Sequence, residues 1–491
     1  MLRKIRTGLA IVFFAGITLL FLDFTGTWQQ WFGWMARMQF LPALLAHNVL
    51  LTIALLALTA LLGRLYCSIV CPMGVLQDVV ARLRRKKNRY SHTPERPLVR
   101  YGVLALFVGL MLLGLNAVAF MLAPYSAYGR IAANLFAPLY ALANNGLAAV
   151  AERADSYAFY AVDIWTRSIP ALVVAALTLA VVGVLAWRGG RTYCNTICPV
   201  GTVLGLVSKA SVMRVSIDTD KCNGCGLCAR NCKSGCIDPK AHRIDASRCV
   251  VCFDCIDHCR QRAIAFGPRR KADPKPADPS PADNGRRQML ATAGALLAAR
   301  TIASQTTKLD GGLAVIEDKQ IPQRDTRIVP AGALSIRHLE RHCTGCQLCV
   351  AECPNGVLRP SSDLQSWMQP HMSYERGYCR PECTRCSQVC PNGAIGPIGR
   401  AEKSSTQIGH AVWISRNCIP LTDHVACGNC ARHCPAGAIS MIPSDPDDDE
   451  SLLIPSVDTE RCIGCGACEN LCPARPFSAI YVEGHEVHRT I

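Results

Sequence analysis

Two runs, CNGCGLCARNC beginning at Cys222 and CVVCFDCIDHC ending at Cys259, each carry a C-x2-C-x2-C-x3-C quartet. That is a ligand spacing for cubane iron–sulfur clusters. Three cysteines in a short loop close round three corners of a cube, and the fourth, beyond the loop's reach, serves the neighbouring cube. The spacing predicts one cluster on Cys222, Cys225, Cys228 and Cys259, and another on Cys249, Cys252, Cys255 and Cys232. Four further quartets follow: Cys343, Cys346, Cys349 and Cys353; Cys379, Cys383, Cys386 and Cys390; Cys418, Cys427, Cys430 and Cys434; Cys462, Cys465, Cys468 and Cys472. The outer two are regular, while the inner two open with x3 and x8. Pro354, Pro391, Pro435 and Pro473 follow their last cysteines and end each ligand loop with φ already set. These sixteen cysteines suffice for four [4Fe–4S] clusters, making six with the first pair. Zinc is the rival, but its sites usually present two separated pairs. Disulfide frameworks belong to small secreted chains.

A different pattern occurs earlier. Tyr66-Cys67-x3-Cys71-Pro72-x-Gly74 recurs as Tyr193-Cys194-x3-Cys198-Pro199-x-Gly201. Brought together, Cys67, Cys71, Cys194 and Cys198 could ligate a metal or work as redox-active dithiols. Buried structural thiols are the plainer alternative. With these four, only Cys236 of the 29 cysteines stands outside a set, and it is expected to be an inert thiol. Lys233 and Arg260 follow Cys232 and Cys259, where proline follows the later quartets. A cation there either stabilises the reduced cluster, raising its potential, or is simply solvated.

The elements that carry these cysteines differ along the 491 residues. Half the residues are hydrophobic, concentrated in the N-terminal part. Stretches 8–24, 41–62, 98–123 and 164–187 are long enough to cross a bilayer, which needs about 20 residues. Arg3, Lys4 and Arg6 precede the first. Arg82, Arg84, Arg85, Lys86, Lys87 and Arg89 join the second and third, and Arg188 and Arg191 follow the fourth. The other two loops carry Trp28, Trp31, Trp34, Tyr125 and Tyr128, as an interfacial belt would. By the positive-inside rule both ends of this unit face the cytoplasm, and so does the 222–259 stretch. Much of the net charge of +16 is this orientation signal, so it does not argue for nucleic acid. Each cysteine–proline copy follows a pair of spans. The membrane part therefore reads as an internal duplication, with its working site where the halves meet. His47, near the outer end of the second span, could take a proton from a quinol or simply meet headgroups.

Residues 268–285 form a proline-rich, charged linker that cannot bury a core. Arg286-Arg287-Gln288-Met289-Leu290, with the apolar run to Ala299, reads either as a twin-arginine export signal or as an amphipathic surface helix. The expected domains are a four-helix membrane domain (1–215), a two-cluster module (216–267), the linker (268–330) and a four-cluster module (331–491). Insertion 359–378 and the acidic run after Ser444 are expected to be surface loops.

Over residues 1–267, the four spans, the two Y-C-x3-C-P-x-G copies and the two-cluster module resemble the NapH, MauN and NosR group of membrane iron–sulfur proteins. The resemblance implies quinol oxidation and electron delivery towards a periplasmic reductase. NosR members also carry a flavin domain with an attachment threonine, and none is recognisable here. The later module resembles four-cluster ferredoxins of the NapG and MauM type, in which the first and last motifs pair and the middle two pair. Transferred to this chain, Cys472 would complete the Cys343 cluster and Cys353 the Cys462 cluster. Cys434 would complete the Cys379 cluster, and Cys390 that of Cys418, Cys427 and Cys430.

The expected fold is therefore a membrane α-helical domain of four transmembrane helices, internally duplicated, plus two α+β ferredoxin-like modules. The expected function is electron transfer in the cytoplasmic (inner) membrane. Menaquinol or ubiquinol from the quinone pool would be the diffusible donor. Six [4Fe–4S] clusters would carry electrons to a separate terminal reductase or small electron carrier. Any enzymatic role is that of a quinol dehydrogenase component, because no C-x2-C-H haem site, nucleotide loop or molybdenum subunit is recognisable. The alternative is an assembly or maturation factor that uses its clusters to reduce a metal or thiol in another metalloenzyme. If the twin-arginine segment is used, the two modules lie on opposite sides of the membrane and the four membrane cysteines must bridge them.

Overall fold

The helices of the N-terminal half are, in chain order, α1 (Leu2–Leu22), α2 (Val49–Leu62), α3 (Pro72–Leu83), α4 (Pro97–Leu112), α5 (Pro124–Ile131), α6 (Ala137–Arg153), α7 (Ile169–Gly189) and α8 (Pro199–Ser208), with shorter turns between them. This is a computed structural model that describes residues 1–83, 90–156, 158–269, 320–448 and 450–491. The twin-arginine segment, nearly all of the linker, Arg84, Arg85, Lys86, Lys87 and Arg89 lie outside the described residues.

Among the described residues two helices, α1 and α7, are long and apolar enough to cross a membrane, with 21 residues each. At about 1.5 Å per residue each reaches about 31 Å, the thickness of a bilayer's hydrocarbon layer. The other two expected spans are broken. Within 41–62, Phe40–Leu45 forms its own short helix and His47 turns left-handed at φ 53°. Asn48 then caps α2 by accepting from Leu51 N, which leaves a helix of 14 residues. Within 98–123, α4 ends after 16 residues, Gly114 adopts φ 78°, and Asn116–Ala119 and Phe120–Leu122 turn back into the bundle. Outward-facing Leu50, Leu98, Leu112, Leu139 and Ile169 leave α2, α4, α6 and α7 with unburied apolar surface, the mark of an interaction face.

The turned-back segment changes one expectation. Tyr125 and Tyr128 are fully buried and form no interfacial belt. The Tyr128 hydroxyl meets Thr18 Oγ1 at 2.5 Å, and its ring packs edge-on against Phe14. Trp28 also turns inward, donating from Nε1 to Gly16 O at 3.2 Å and stacking on Phe32. Trp31 and Trp34 remain exposed.

The cysteine-rich parts are built from short antiparallel ladders. In the first module β1 (Met213–Ile217) pairs with β4 (Ile264–Pro268), and β2 (Ile237–Asp238) with β3 (Arg243–Ile244). In the second, β5 (Leu358–Pro360) pairs with β6 (Pro370–Met372), β7 (Thr406–Trp413) with β10 (Ile480–Thr490), and β8 (Ile439–Pro443) with β9 (Leu453–Val457). The 359–378 insertion is not a surface loop. It completes the β5–β6 hairpin and buries Met368, Gln369 and Tyr374. Tyr374 donates to Gly464 O at 2.6 Å and ties the hairpin to the last quartet. The acidic run is exposed where described.

Residues Met1–Arg269 and Gln320–Ile491 pack as one unit, and α1 shows how. At its N-terminal end Arg3 pairs with Asp254 (3.0 Å) and Asp257 (3.2 Å) of the first module. Just beyond its C-terminal end, Arg385 of the second module donates to Thr25 O at 3.2 Å. The two modules thus dock at opposite ends of a membrane-length helix.

Candidate iron–sulfur sites

In the first module, one cavity is lined by Cys222, Cys225, Cys228 and Cys259, and a second by Cys232, Cys249, Cys252 and Cys255. These are the two expected ligand sets. Gly224 and Gly226 turn the first loop at φ 71° and 68°. In the second loop the same positions are Val251 at φ 51° and Phe253 at φ 63°, conformations that are unusual for bulky residues. Packing fixes both. A Cβ on Gly63, at the end of α2, would touch Val251, and Phe253 meets Phe266 edge-on at 5.3 Å. The second loop is thus held in a strained turn against the helical domain. Its cavity also contains Cys236, whose Sγ lies 3.5 Å from Cys232 Sγ. Cys236 therefore stands among the ligands of one set.

Lys233 and Arg260 separate. Lys233 is largely buried and paired with Asp254 (2.9 Å) and Asp78 (3.7 Å), whereas Arg260 is solvated. Gly190 (φ 66°) sits so close to Lys233 O that a Cβ there would lie 2.5 Å away, so this docking requires glycine.

In the second module the ligand pairing differs from the transferred one. Cys353 lines a cavity with Cys379, Cys383 and Cys386, and Cys434 lines one with Cys462, Cys465 and Cys468. Cys390 lies within electrostatic reach of Cys343, Cys346 and Cys349, and Cys472 within reach of Cys418 and Cys430. The first and second quartets therefore exchange their fourth cysteines, and so do the third and fourth. The physical reason is the hairpins: β5–β6 folds the first quartet onto the second, and β8–β9 the third onto the fourth. The halves meet where Cys379 N donates to Cys465 O at 2.9 Å, beside Tyr374.

The donor chemistry fits thiolates around clusters. Backbone N–H groups of Ala263, Ala438 and Ala479 point at the sulfurs of Cys259, Cys434 and Cys472 at 3.3 Å. Hydrogen bonds of this kind tune cluster potentials. No group of three or more His, Cys, Asp or Glu among the described residues closes tightly enough to hold a single ion.

Cys67, Cys71, Cys194 and Cys198 are all buried and converge within electrostatic reach of one another. The convergence has approximate twofold symmetry. Arg191 Nη1 donates to Cys67 O at 2.5 Å and Arg64 Nη2 to Cys194 O at 3.1 Å, so each copy's arginine binds the other copy's cysteine. Gly74 and Gly201 lie against those same carbonyls, where a Cβ would not fit. Tyr66 bonds Gln39 Oε1 at 2.9 Å, and Tyr193 bonds Leu122 O at 2.9 Å. Both tyrosines are thereby tied to segments folded in from the second module's end. From the set, Arg64 reaches Ser247 O at 2.8 Å, two residues before Cys249. On the other side, buried Arg130 lies within electrostatic reach of Tyr193 and Cys346. The second module rests here on Gly129, where a Cβ would collide with Cys346 O.

Comparison with known proteins agrees with this geometry. Residues 45–90 and 169–218 match a family described as a 4Fe-4S binding domain, and residues 215–238 match another of that description. Residues 342–419 and 425–475 each match a 4Fe-4S dicluster domain; the first range holds the first exchanging pair of quartets together with Cys418, and the second holds the rest of the other pair. The methylamine utilization ferredoxin-type protein MauM of Methylobacillus flagellatus is 32% identical over 170 residues, 33% of this chain and 70% of MauM. The chain belongs to the ferredoxin-type iron–sulfur proteins. Ferredoxin-type protein NapF of Escherichia coli is 28% identical over 149 residues, 30% of this chain and 81% of NapF. The putative electron transport protein YccM of Escherichia coli is 27% identical over 229 residues, 45% of this chain and 55% of YccM. No solved structure matches the chain.

For a ferredoxin-type protein the working parts are the ligand sets and the groups that bias their charge. Sequence reasoning found the cysteines but missed Arg64 and Arg191. The signal was present: both copies read R-x-Y-C-x3-C-P-x-G, and Arg191 had been counted only as an orientation charge. His47 also moves. Its ring lies 5.6 Å from that of His342, beside Cys343, at the junction with the second module.

Proposed function

We propose that the chain is a membrane-bound electron wire that takes electrons from quinol and passes them through [4Fe–4S] clusters to a separate reductase or small carrier. The observation that carries this reading is the placement of the four convergent cysteines between two cluster modules docked at opposite ends of α1. On this reading α1, α2, α4 and α7 all cross the bilayer, the two shorter helices being completed by flanking segments. The first module faces the cytoplasm and the second the periplasm, as use of the twin-arginine segment requires.

Cys67, Cys71, Cys194 and Cys198 then hold a seventh cluster, in agreement with the 4Fe-4S family match over both copies. Arg64 supports it. This guanidinium is fully buried, and its partners are Asn195 Oδ1, Ser247 O, Cys194 O and Cys67 Sγ. No carboxylate lies within ion-pair distance of it among the described residues. A buried charge without a counter-ion is strongly unfavourable, and a four-thiolate cluster supplies the negative charge. The bound clusters supply one-electron redox chemistry. The chain's residues hold the thiolates, exclude water and fix the spacing. Beyond the seventh cluster, the order runs from the Cys343 set to the Cys379 set, across the Cys379–Cys465 contact, and on to the Cys418 set.

The test is Cys67→Ser combined with Cys194→Ser in the full chain. Iron content should fall by about four atoms per chain, and electrons supplied to one module should no longer reach the other. Unchanged iron and unchanged transfer between the modules would sink the bridge.

A further inference from the structure

One cavity belongs to none of the cysteine sets. It opens where the C-terminal end of α1 and the N-terminal end of α7 meet α6 and the 162–167 loop. Phe24, Tyr140 and Leu172 form apolar walls, and Trp165, whose ring also carries Arg359 and Arg376 at 5.2 and 4.6 Å, lines the cavity beside them. Its polar lining carries both signs. The carboxylate of Asp23 is occupied by Thr25 and Trp28, which donate to it at 2.7–2.9 Å. Asp163 forms no such bond among the described residues and is exposed. Arg167 donates from Nη2 to Ala351 O at 3.3 Å, while its Nη1 is buried without a hydrogen-bond partner. Ala351 itself lines the cavity and lies between Cys349 and Cys353. One wall is therefore backbone of a cluster loop.

We infer that this cavity binds the ring of a lipid-soluble quinol, with Arg167 donating to a ring oxygen and Asp163 receiving a proton. The inference rests on the proposed quinol donor and deepens it by locating the entry point. The flat aromatic walls suit a planar ring. The position at the ends of two membrane-length helices suits a ligand that arrives through lipid. The cluster-loop wall suits a ligand that gives up electrons. Oxidation of one quinol to quinone releases two electrons and two protons. The two electrons pass one each to the two cluster sets that flank Ala351, that of Cys349 and that of Cys353, both of which lie within electrostatic reach of Arg167. The protons leave through Asp163 to water. His47 does not line this cavity, so the proton-accepting role considered for it passes to Asp163.

The experiment uses the full-length, cluster-loaded protein in detergent, with decylubiquinol as donor and dithionite as control. Cluster reduction is followed by bleaching of visible absorbance. Arg167→Gln and Leu172→Trp should each slow quinol-driven reduction at least tenfold, with the extent of dithionite reduction unchanged. Variants as fast as the wild type would overturn the site and leave the donor reading standing. Binding is read separately from tryptophan quenching by decylubiquinone, with Trp165→Phe as reference. Quenching that disappears in Trp165→Phe and Leu172→Trp supports the site. If decylubiquinol fails to reduce the wild type while this quenching persists, the donor reading falls and the site stands. Quenching insensitive to both substitutions overturns the site.

Discussion

The two copies of the cysteine–proline repeat share their arginine, tyrosine, cysteines, proline and glycine, and differ in one charge. Four residues beyond Gly74 is Asp78; four beyond Gly201 is Gly205. Asp78 accepts two hydrogen bonds from Arg191, Nε to Oδ1 at 2.9 Å and Nη2 to Oδ2 at 2.8 Å, and also pairs with Arg6 and Lys233. In the other copy the room for a carboxylate is taken by a second guanidinium. A Cβ on Gly205 would run into Arg100 Nη2, and Arg100 and Arg64 share Ser247 O as acceptor. One copy is an electrostatic lock closed by protein groups alone. The other leaves a buried cation facing the four thiols and the Cys249 loop. An exact duplication would have balanced both arginines. On the proposed reading, the asymmetry leaves Arg64 as the one available to a negatively charged cluster.

The largest expected effect breaks the lock. Asp78→Asn leaves Arg191 and Arg6 buried without their acid and Lys233 with Asp254 alone, a loss of about 3–5 kcal/mol, measured by urea unfolding of the detergent-solubilised protein. Burial alone would raise the Asp78 carboxyl, but Arg191, then Lys233 and Arg6, outweigh it and hold it well below the usual carboxylate range. Its contribution is therefore fully present above the unfolded value of about 3.9 and is lost as pH falls through the depressed folded value. The gap between wild type and Asp78→Asn should stay constant from neutral pH to about 5 and close only in strong acid. A gap under about 1 kcal/mol at neutral pH would reduce the lock to an ordinary surface pair.

The open side of the comparison is electrostatic. Arg64→Gln removes a cation from between two ligand sets and should lower both potentials by on the order of 50 mV, equivalent to about 1 kcal/mol for one electron. Arg191→Gln should shift them less, because Asp78 already neutralises that guanidinium. Redox titration followed by electron paramagnetic resonance reads both variants. Equal shifts would remove the asymmetry from any account of function.

Local chemistry was legible in the sequence, and long-range pairing was not. The first module's sets stand in their expected cavities because three ligands of each lie within seven residues and one short turn returns the fourth. In the second module the partner of each fourth cysteine depends on which hairpin folds onto which quartet. The spacing of Cys353, Cys390, Cys434 and Cys472 does not record that. The 98–123 stretch is apolar apart from Arg100, Tyr101 and Asn116, yet Gly114 and the turn after it cut the helix short and carry Tyr125 and Tyr128 inward. Hydropathy records composition, and a left-handed glycine changes direction without changing it. His47 and Asn48 act in the same way on 41–62. Arg64 and Arg191 were readable, since the repeat preserves their positions two residues before each tyrosine.

The smallest expected effect concerns how the first module is held. Two kinds of charge dock it: the buried set of Arg64, Arg100 and Lys233, and the partly exposed pairs of Arg3 with Asp254 and Asp257. The Arg3 side chain is 38% exposed, so water and salt screen it, and pairs of this kind contribute about 0–1 kcal/mol. Arg3→Ala should therefore lower stability by about 0.5 kcal/mol, with the difference fading as salt is raised. The measurement is the same urea unfolding, at low and high ionic strength. A loss above about 2 kcal/mol that persists in high salt would mean that the surface pairs, and not the buried arginines, set the module's seat. Arg64 would then be free to vary without moving the Cys249 set. A loss near the expected value leaves docking and cluster charge balance resting on the same buried residues, so that separating the first module from the helices would also expose the cation that compensates its inner cluster.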